Sequence, residues 1–279
     1  ILGPWGEKQA LFPPLDVPRE ESDEPDYPSP EQNEILLHPR VQQFGSAVYV
    51  RLNVSRMKAI SVASEERPHM NVDGYGLPSV LAWMKGAEEE RLAEITANAR
   101  KIVPGIRRIK TLRKFVRSQR MDSLDVAGQK VWRPVNEERL GDRFEVEFDN
   151  GASVPADLLS EGTVVALGLL ATLASKNRPR LILADDIDRG LHVEAQSKLV
   201  DVMRELLATD PDLQIVCTTH SPYLLDRFKP DEVRVLSLDS SRHTHARALT
   251  DHPDFEKWKF GNQTGELWAA LGDAWVASE

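Results

Sequence analysis

Two short apolar runs late in the chain, each ending in a cluster of polar residues, restrict the fold more than any other feature. Leu181, Ile182, Leu183 and Ala184 deliver two adjacent carboxylates, Asp185 and Asp186. A second run over 213–217 delivers Thr218, Thr219 and His220. Runs this short are strands, and the pattern between them, over 193–208, is that of an amphipathic helix. Strands alternating with helices imply a parallel sheet with right-handed crossovers. The same rhythm predicts a helix over 158–175, a short helix over 222–228 and a further strand over 233–238. Open α/β sheets bind ligands at the carboxyl ends of their strands, where these acids and the histidine fall.

The segment Asp157-Leu158-Leu159-Ser160-Glu161-Gly162-Thr163 runs directly into the apolar stretch 164–174. Ser160 is placed to cap that helix, Gly162 to let a ligand approach the backbone, and the helix terminus to attract an anion. Two acids, a histidine and an anion-seeking helix end point to phosphate chemistry. Asp185 is the candidate magnesium ligand, a hard oxygen donor. A capping or salt-bridged aspartate and a core histidine are the plain structural alternatives.

In this order and spacing the segments resemble the ATP-binding cassette ATPases, specifically the branch related to SMC and RecF proteins. Ser160-Glu161-Gly162-Thr163 looks like the signature motif, Leu181 to Asp186 like Walker B, and Thr218-Thr219-His220-Ser221-Pro222 like the switch-histidine segment. Asp188-Arg189-Gly190-Leu191-His192 sits where the D-loop lies, and the stretch 73–82 looks like the lead into a helical lobe. The resemblance implies an α/β fold, a partial P-loop NTPase core of the ABC type with a parallel sheet plus a helical lobe. It implies ATP and Mg2+ as cofactors, with Asp185 on the metal, Asp186 polarising the attacking water and His220 contacting the γ-phosphate. Ser160, Glu161, Gly162 and Thr163 would then reach the nucleotide of a second subunit, and Asp188 would meet that subunit or form a plain turn. The implied assembly is a homodimer with composite ATP sites. Its hydrolysis would gate action on DNA or a nuclease-like effector, in anti-phage defence or DNA repair.

Two departures bear on this reading. The family's glutamate after the Walker B aspartate is Asp186 here, a carboxylate one methylene shorter. No G-x-x-x-x-G-K-[ST] occurs; Gly3-Pro4-Trp5-Gly6-Glu7-Lys8 has a lysine but neither the spacing nor a following Ser or Thr. The expectation is that a phosphate-loop lobe belongs upstream of Ile1, the alternative being a degenerate cassette that binds without turnover as a scaffold. A transporter subunit is a third reading, disfavoured because Ser-Glu-Gly-Thr departs from the transporter-like Ser-Gly-Gly-Gln.

The division expected along the chain is a Pro-rich and acidic linker over 1–45, a lobe of helix and strands over 46–157, the ATPase core over 158–240 and a helical cap over 241–279. Within the lobe, a strand is expected over 46–53, a helix from 77 or 79 to about 103, and strands over 106–116 and 144–148. The formal net charge of −9 argues against a uniform nucleic-acid coat. The stretch 100–120 nevertheless holds Arg100, Lys101, Arg107, Arg108, Lys110, Arg113, Lys114, Arg117 and Arg120 with no acid. It could be a solvated face paired with acids elsewhere, a DNA contact or a site for an acidic partner. Cys217, the single cysteine, excludes an intrachain disulfide and reads as a buried structural thiol. His243 and His245 are either metal ligands or a solvated strand edge, and Trp258, Trp268 and Trp275 are packing residues or a stacking platform. With no apolar run of about 20 residues and no leading signal segment, no membrane is expected and the cytoplasm is the expected location.

Overall fold

The computed structural model describes residues 47–63, 66–126, 129–174 and 180–277; the linker expected over 1–45 lies outside them. β1 (Ala47–Val50) leads into α1 (Val54–Lys58), whose cap is the Asn53 side chain accepting from the Arg56 N–H. The single helix expected up to residue 103 is instead two, α2 (Leu77–Ala87) and α3 (Glu89–Ile102). Glu88 breaks it, with φ −142° and ψ 55°. Its N–H closes α2 on the Met84 carbonyl, and its own carbonyl accepts from Arg91 and Leu92 to open α3. Three consecutive acids, Glu88 to Glu90, favour a helix start over a helix interior, because the positive helix terminus stabilises them there.

The two short strands expected next are one long hairpin, β2 (Ile106–Val126) with β3 (Gln129–Phe148), followed by β4 (Ser153–Pro155) on the β3 edge. Ile109, Phe144 and Val146 at its base are buried, and the ribbon then continues outward past the core. Charge obscures this in the sequence, yet the charges are what the strands share: Arg117 bonds Glu138 across the ribbon at 2.6 Å. A 3-10 turn over Ala156–Leu158 then precedes α4 (Glu161–Leu173), so the helix begins at Ser160's cap and not at 158.

β5 (Leu181–Ala184), α5 (Val193–Thr209), β6 (Gln214–Cys217) and α6 (Pro222–Leu225) follow the predicted alternation. The parallel sheet has the order β1-β5-β6, with Val48 opposite Ile182 and Ile182 opposite Ile215. Strand β1, from the 46–157 stretch, is thus a direct neighbour of the strand that carries the carboxylates. α4 is apolar on every side and almost wholly buried, as expected of a helix at the centre of a domain. It packs so closely on α1 that a Cβ at Gly168 would lie 2.6 Å from the Met57 sulfur.

The strand expected over 233–238 forms as β7 (Arg234–Leu238) but does not join the parallel sheet. It pairs antiparallel with β8 (Thr244–Ala248) in a separate two-stranded sheet, since a short turn allows a hairpin where a parallel neighbour needs a crossover. α7 (Phe255–Trp258) and α8 (Thr264–Leu271) complete a second core with Leu225, Val233, Val235, Leu249, Leu267 and Val276. Trp268 and Trp275 pack against this cluster, whereas Trp258 is exposed. Among the described residues no helix is long and apolar enough to cross a membrane.

Candidate functional site

The carboxyl ends of β5 and β6 are stitched together by main-chain bonds. Asp185 N–H donates to the Val50 carbonyl at 2.9 Å, Thr218 N–H to the Ala184 carbonyl at 2.9 Å and Ile187 N–H to the Thr218 carbonyl at 3.2 Å. These bonds fix where Asp185 and Asp186 emerge. Thr218 Oγ1 donates to Asp185 Oδ1 at 2.6 Å and accepts from the Asp186 N–H at 2.9 Å, so one hydroxyl holds the Asp185 carboxylate and the Asp186 main chain. The other oxygen of Asp185 accepts from the Tyr49 phenol at 3.2 Å and lies 3.4 Å from Arg51 Nε. Burial, and then the Asp185 charge beside it, raise the Tyr49 phenol above its ordinary pKa. Asp185 and Asp186 line a narrow crevice with Val165 and Leu169 of α4 and with Arg189.

His220 is exposed, in the segment that follows β6, and so is not a buried core histidine. Its neighbours are held from below. Thr219 Oγ1 donates to Asp188 Oδ1 at 2.5 Å and accepts from the Ser221 N–H at 3.0 Å, while Ser221 donates to Gln196, which donates to the Leu191 carbonyl. Asp188 is therefore bonded within its own chain, at the turn that Gly190 makes with φ +71°. His192 caps α5, its Nδ1 accepting from the Glu194 N–H at 3.4 Å.

Ser160 caps α4 as its position predicts, accepting from the Thr163 N–H at 3.2 Å and sharing a 2.7 Å bond with the Thr163 hydroxyl. Thr163 is buried, while Ser160 and Glu161 are exposed at the helix start. Lys58 steadies the approach by donating to the Leu159 carbonyl at 2.8 Å. Gly162 serves a contact inside the chain: a Cβ there would lie 2.6 Å from the Gly190 carbonyl oxygen. The start of α4 and the turn after β5 are thus in direct backbone contact.

Tyr49, Arg51 and Lys58 are absent from the sequence reading. Only the alternation of Tyr49 and Arg51, two residues apart on one strand face, could have flagged them, and their target was invisible until β1 was paired with β5. The basic stretch is largely spent within the chain. Arg107, Arg108 and Lys110 converge on Glu147, Arg113 lies 3.5 Å from Asp142, and Lys101 bonds Glu205 at 2.5 Å. His243 and His245 flank Asp239, whose carboxylate is held below its usual range chiefly by the bond from His245. Among the described residues no group of three or more His, Cys, Asp or Glu side chains is arranged to hold a metal ion. Burial, with Asp188 nearby, pushes the Cys217 thiol up to about 11.

A parallel sheet with paired acids at its carboxyl edge, beside a capped helix start, defines an α/β protein built to bind a ligand at the strand ends. The chain belongs to the family described as "AAA domain, putative AbiEii toxin, Type IV TA system", which matches residues 68–226. That membership agrees with the SMC/RecF-like ABC-type resemblance of the motifs and implies nucleotide binding. The chain is similar to the Septu protein PtuA of Bacillus thuringiensis, 32% identical over 79 residues, which are 28% of this chain and 19% of that protein. It thus matches about a fifth of that relative's length. Among solved structures it is similar to an SMC ATPase studied for ATP-driven dimerization and DNA-stimulated activation, at 14% identity and TM-score 0.41, over 64% of this chain and 94% of that one. A second is the Pyrococcus furiosus Smc head domain bound to the C-terminal domain of ScpA, at 12% identity and TM-score 0.38, over 64% and 40%.

Proposed function

We propose that this chain is the ATP-binding and hydrolysing part of an SMC/RecF-like ABC-type ATPase that acts as a dimer. The observation that carries the reading is the shared anchoring of Asp185 and Asp186 by Thr218 at the carboxyl edge of the parallel sheet, with His220 exposed two residues further along the same segment. The donor set fits magnesium. One carboxylate and a hydroxyl are hard oxygen ligands, and Mg2+ is commonly held by one or two carboxylates plus the nucleotide's phosphates, with no all-protein cage.

Asp185 would hold the metal, Asp186 would orient and deprotonate the attacking water, and His220 would meet the γ-phosphate. Mg2+, when bound, neutralises charge on the transferring phosphoryl group. Ser160, Glu161, Gly162 and Thr163 present the start of α4 to the nucleotide of a second copy, and Asp188 meets that copy. Placing these donors supplies most of the catalysis, because phosphoryl transfer asks little covalent chemistry of the protein. The dimer would gate a partner effector, nuclease-like in character, or DNA, within cytoplasmic anti-phage defence. Support for that setting comes from the motif resemblance together with the family description and the PtuA similarity.

The test is ATP turnover by the complete protein and by its Asp185→Ala and His220→Ala variants. Losses on the order of 10²-fold or more are expected in both. Unchanged turnover in both would sink the assignment, and nucleotide binding without turnover in the unmodified protein would replace it with a scaffold.

A further inference from the structure

Two side chains from the β1 end reach the carboxylate that the proposed site gives to the metal, and they differ in charge. Tyr49 lies on β1 opposite Leu183, and Arg51 follows the last rung of that pairing, Val50 opposite Ala184. The Arg51 main chain is fixed by its N–H on the Val72 carbonyl at 2.9 Å, as the Asp185 N–H is fixed on the Val50 carbonyl. Register therefore brings Arg51 and Asp185 to the same edge. Asp185 Oδ1 accepts from Thr218. Its Oδ2 accepts from the Tyr49 phenol at 3.2 Å and lies 3.4 Å from Arg51 Nε.

Arg51 differs from the other two partners in kind. Thr218 and Tyr49 are neutral donors, which hold the carboxylate without altering its charge, whereas Arg51 cancels that charge. Among the described residues it is the one cation within ion-pair distance of Asp185, for Arg189 lines the same crevice without pairing with either acid. The contact is also lightly held. The Arg51 side chain is 64% exposed, that of Asp185 26%, and Arg51 bonds no other side chain among the described residues. Exposed ion pairs of this sort contribute little, so the guanidinium can leave. While it stays, a second cation at Asp185 meets its repulsion.

We infer that Arg51 is the counter-ion of Asp185 and competes with a divalent cation for it, so that the charge at position 51 sets how tightly the site takes its metal. Free divalent cations are thereby held off the carboxylate. The inference rests on the reading of Asp185 as the metal-holding acid.

Titration of the complete protein with Mn2+ alone, followed by the loss of the free-ion electron paramagnetic resonance signal, tests it without turnover. Mn2+ takes the same hard oxygen donors as Mg2+. Asp185→Asn marks which part of the binding belongs to this site. Arg51→Gln should bind Mn2+ there roughly three- to fivefold more tightly, the scale of one exposed ion pair. Arg51→Lys keeps the charge and should bind as the unmodified protein does. Tyr49→Phe removes a neutral donor from the same oxygen and should gain nothing. A tightening in Arg51→Lys or Tyr49→Phe equal to that in Arg51→Gln would trace the effect to a loosened carboxylate and overturn the competition. So would an Arg51→Gln protein that binds like the unmodified one while Asp185→Asn loses the site, a result that leaves the metal reading standing. Binding unchanged in Asp185→Asn would overturn that reading and the inference together. Position 51 is exposed, and circular dichroism checks that each variant folds.

Discussion

Replacing Gly162 by alanine sets two effects of opposite sign against each other. Within a helix, Gly→Ala stabilises by about 0.5–1 kcal/mol through backbone entropy, and Gly162 is in the first turn of α4. Against this, the new Cβ would lie 2.6 Å from the Gly190 carbonyl oxygen and 3.2 Å from Leu191 Cδ2. Ordinary contact requires the two segments to part by roughly 0.5–1 Å. Overpacking of this kind costs about 1–3 kcal/mol, and the nearest obstacle is the Gly190 backbone. The net expectation is a loss of about 1 kcal/mol, seen as a fall of roughly 0.5 M in the urea midpoint. Gly86→Ala is the matched control. That glycine lies in the last turn of α2, with nothing within 4 Å of its missing Cβ. It should rise in stability by up to about 1 kcal/mol. A Gly162→Ala protein as stable as Gly86→Ala would refute the close approach of the α4 start to the turn after β5.

Other outcomes follow from the same geometry. Asp186→Asn should lower turnover by on the order of 10²-fold with nucleotide affinity retained, and equal losses of both would count against its role on the water. Lys110 and Arg108 hold the Glu147 carboxyl below the usual carboxylate range. A depressed native pKa gives stability that is present above the unfolded value, about 4.3, and is lost as pH falls toward the native value. Glu147→Gln should accordingly flatten the decline of Tm between about pH 4.5 and 2, and an unaltered acid limb would contradict the assignment. With its pKa pushed to about 11, Cys217 is thiolate in only about one molecule in a thousand at pH 8. It should resist a disulfide reagent in the native protein and react fully in urea; rapid native labelling would show the strand to be open.

Parts of the fold were legible because local physics and tertiary context agree there. The run from Leu181 to Ala184, the α5 segment and the Ser160 cap are short-range signals, and they appear within a residue or so of their expected bounds. The ends of β5 and β6, where Asp185 and Thr218 begin, were equally visible, since strand ends announce themselves by a change from apolar to polar. What sequence could not show is pairing. The placement of β1 against β5 joins residues far apart in the chain, so Tyr49 and Arg51 acquire their target only in three dimensions. The hairpin escaped notice because Arg117 and Glu138, each unremarkable as a surface charge, satisfy one another across the strands. The break at Glu88 was missed for a different reason: with no proline to mark it, three acids reading as helix interior in fact open a new one.

Asp186 has a left-handed backbone, φ 52°, one of only two non-glycine positive-φ residues among those described. Aspartate and asparagine enter that region more readily than most residues because their short polar side chains bond locally. A glutamate gains no such relief, so at this site the longer carboxylate and the left-handed turn compete. The glutamate that the motif resemblance implies and this chain's aspartate then differ in more than one methylene. Where the carboxylate points depends on a reversal of the main chain that Thr218 pins through the Asp186 N–H. Introducing glutamate alone would lengthen the side chain while straining the turn that aims it, so the residue and the backbone act as a single unit.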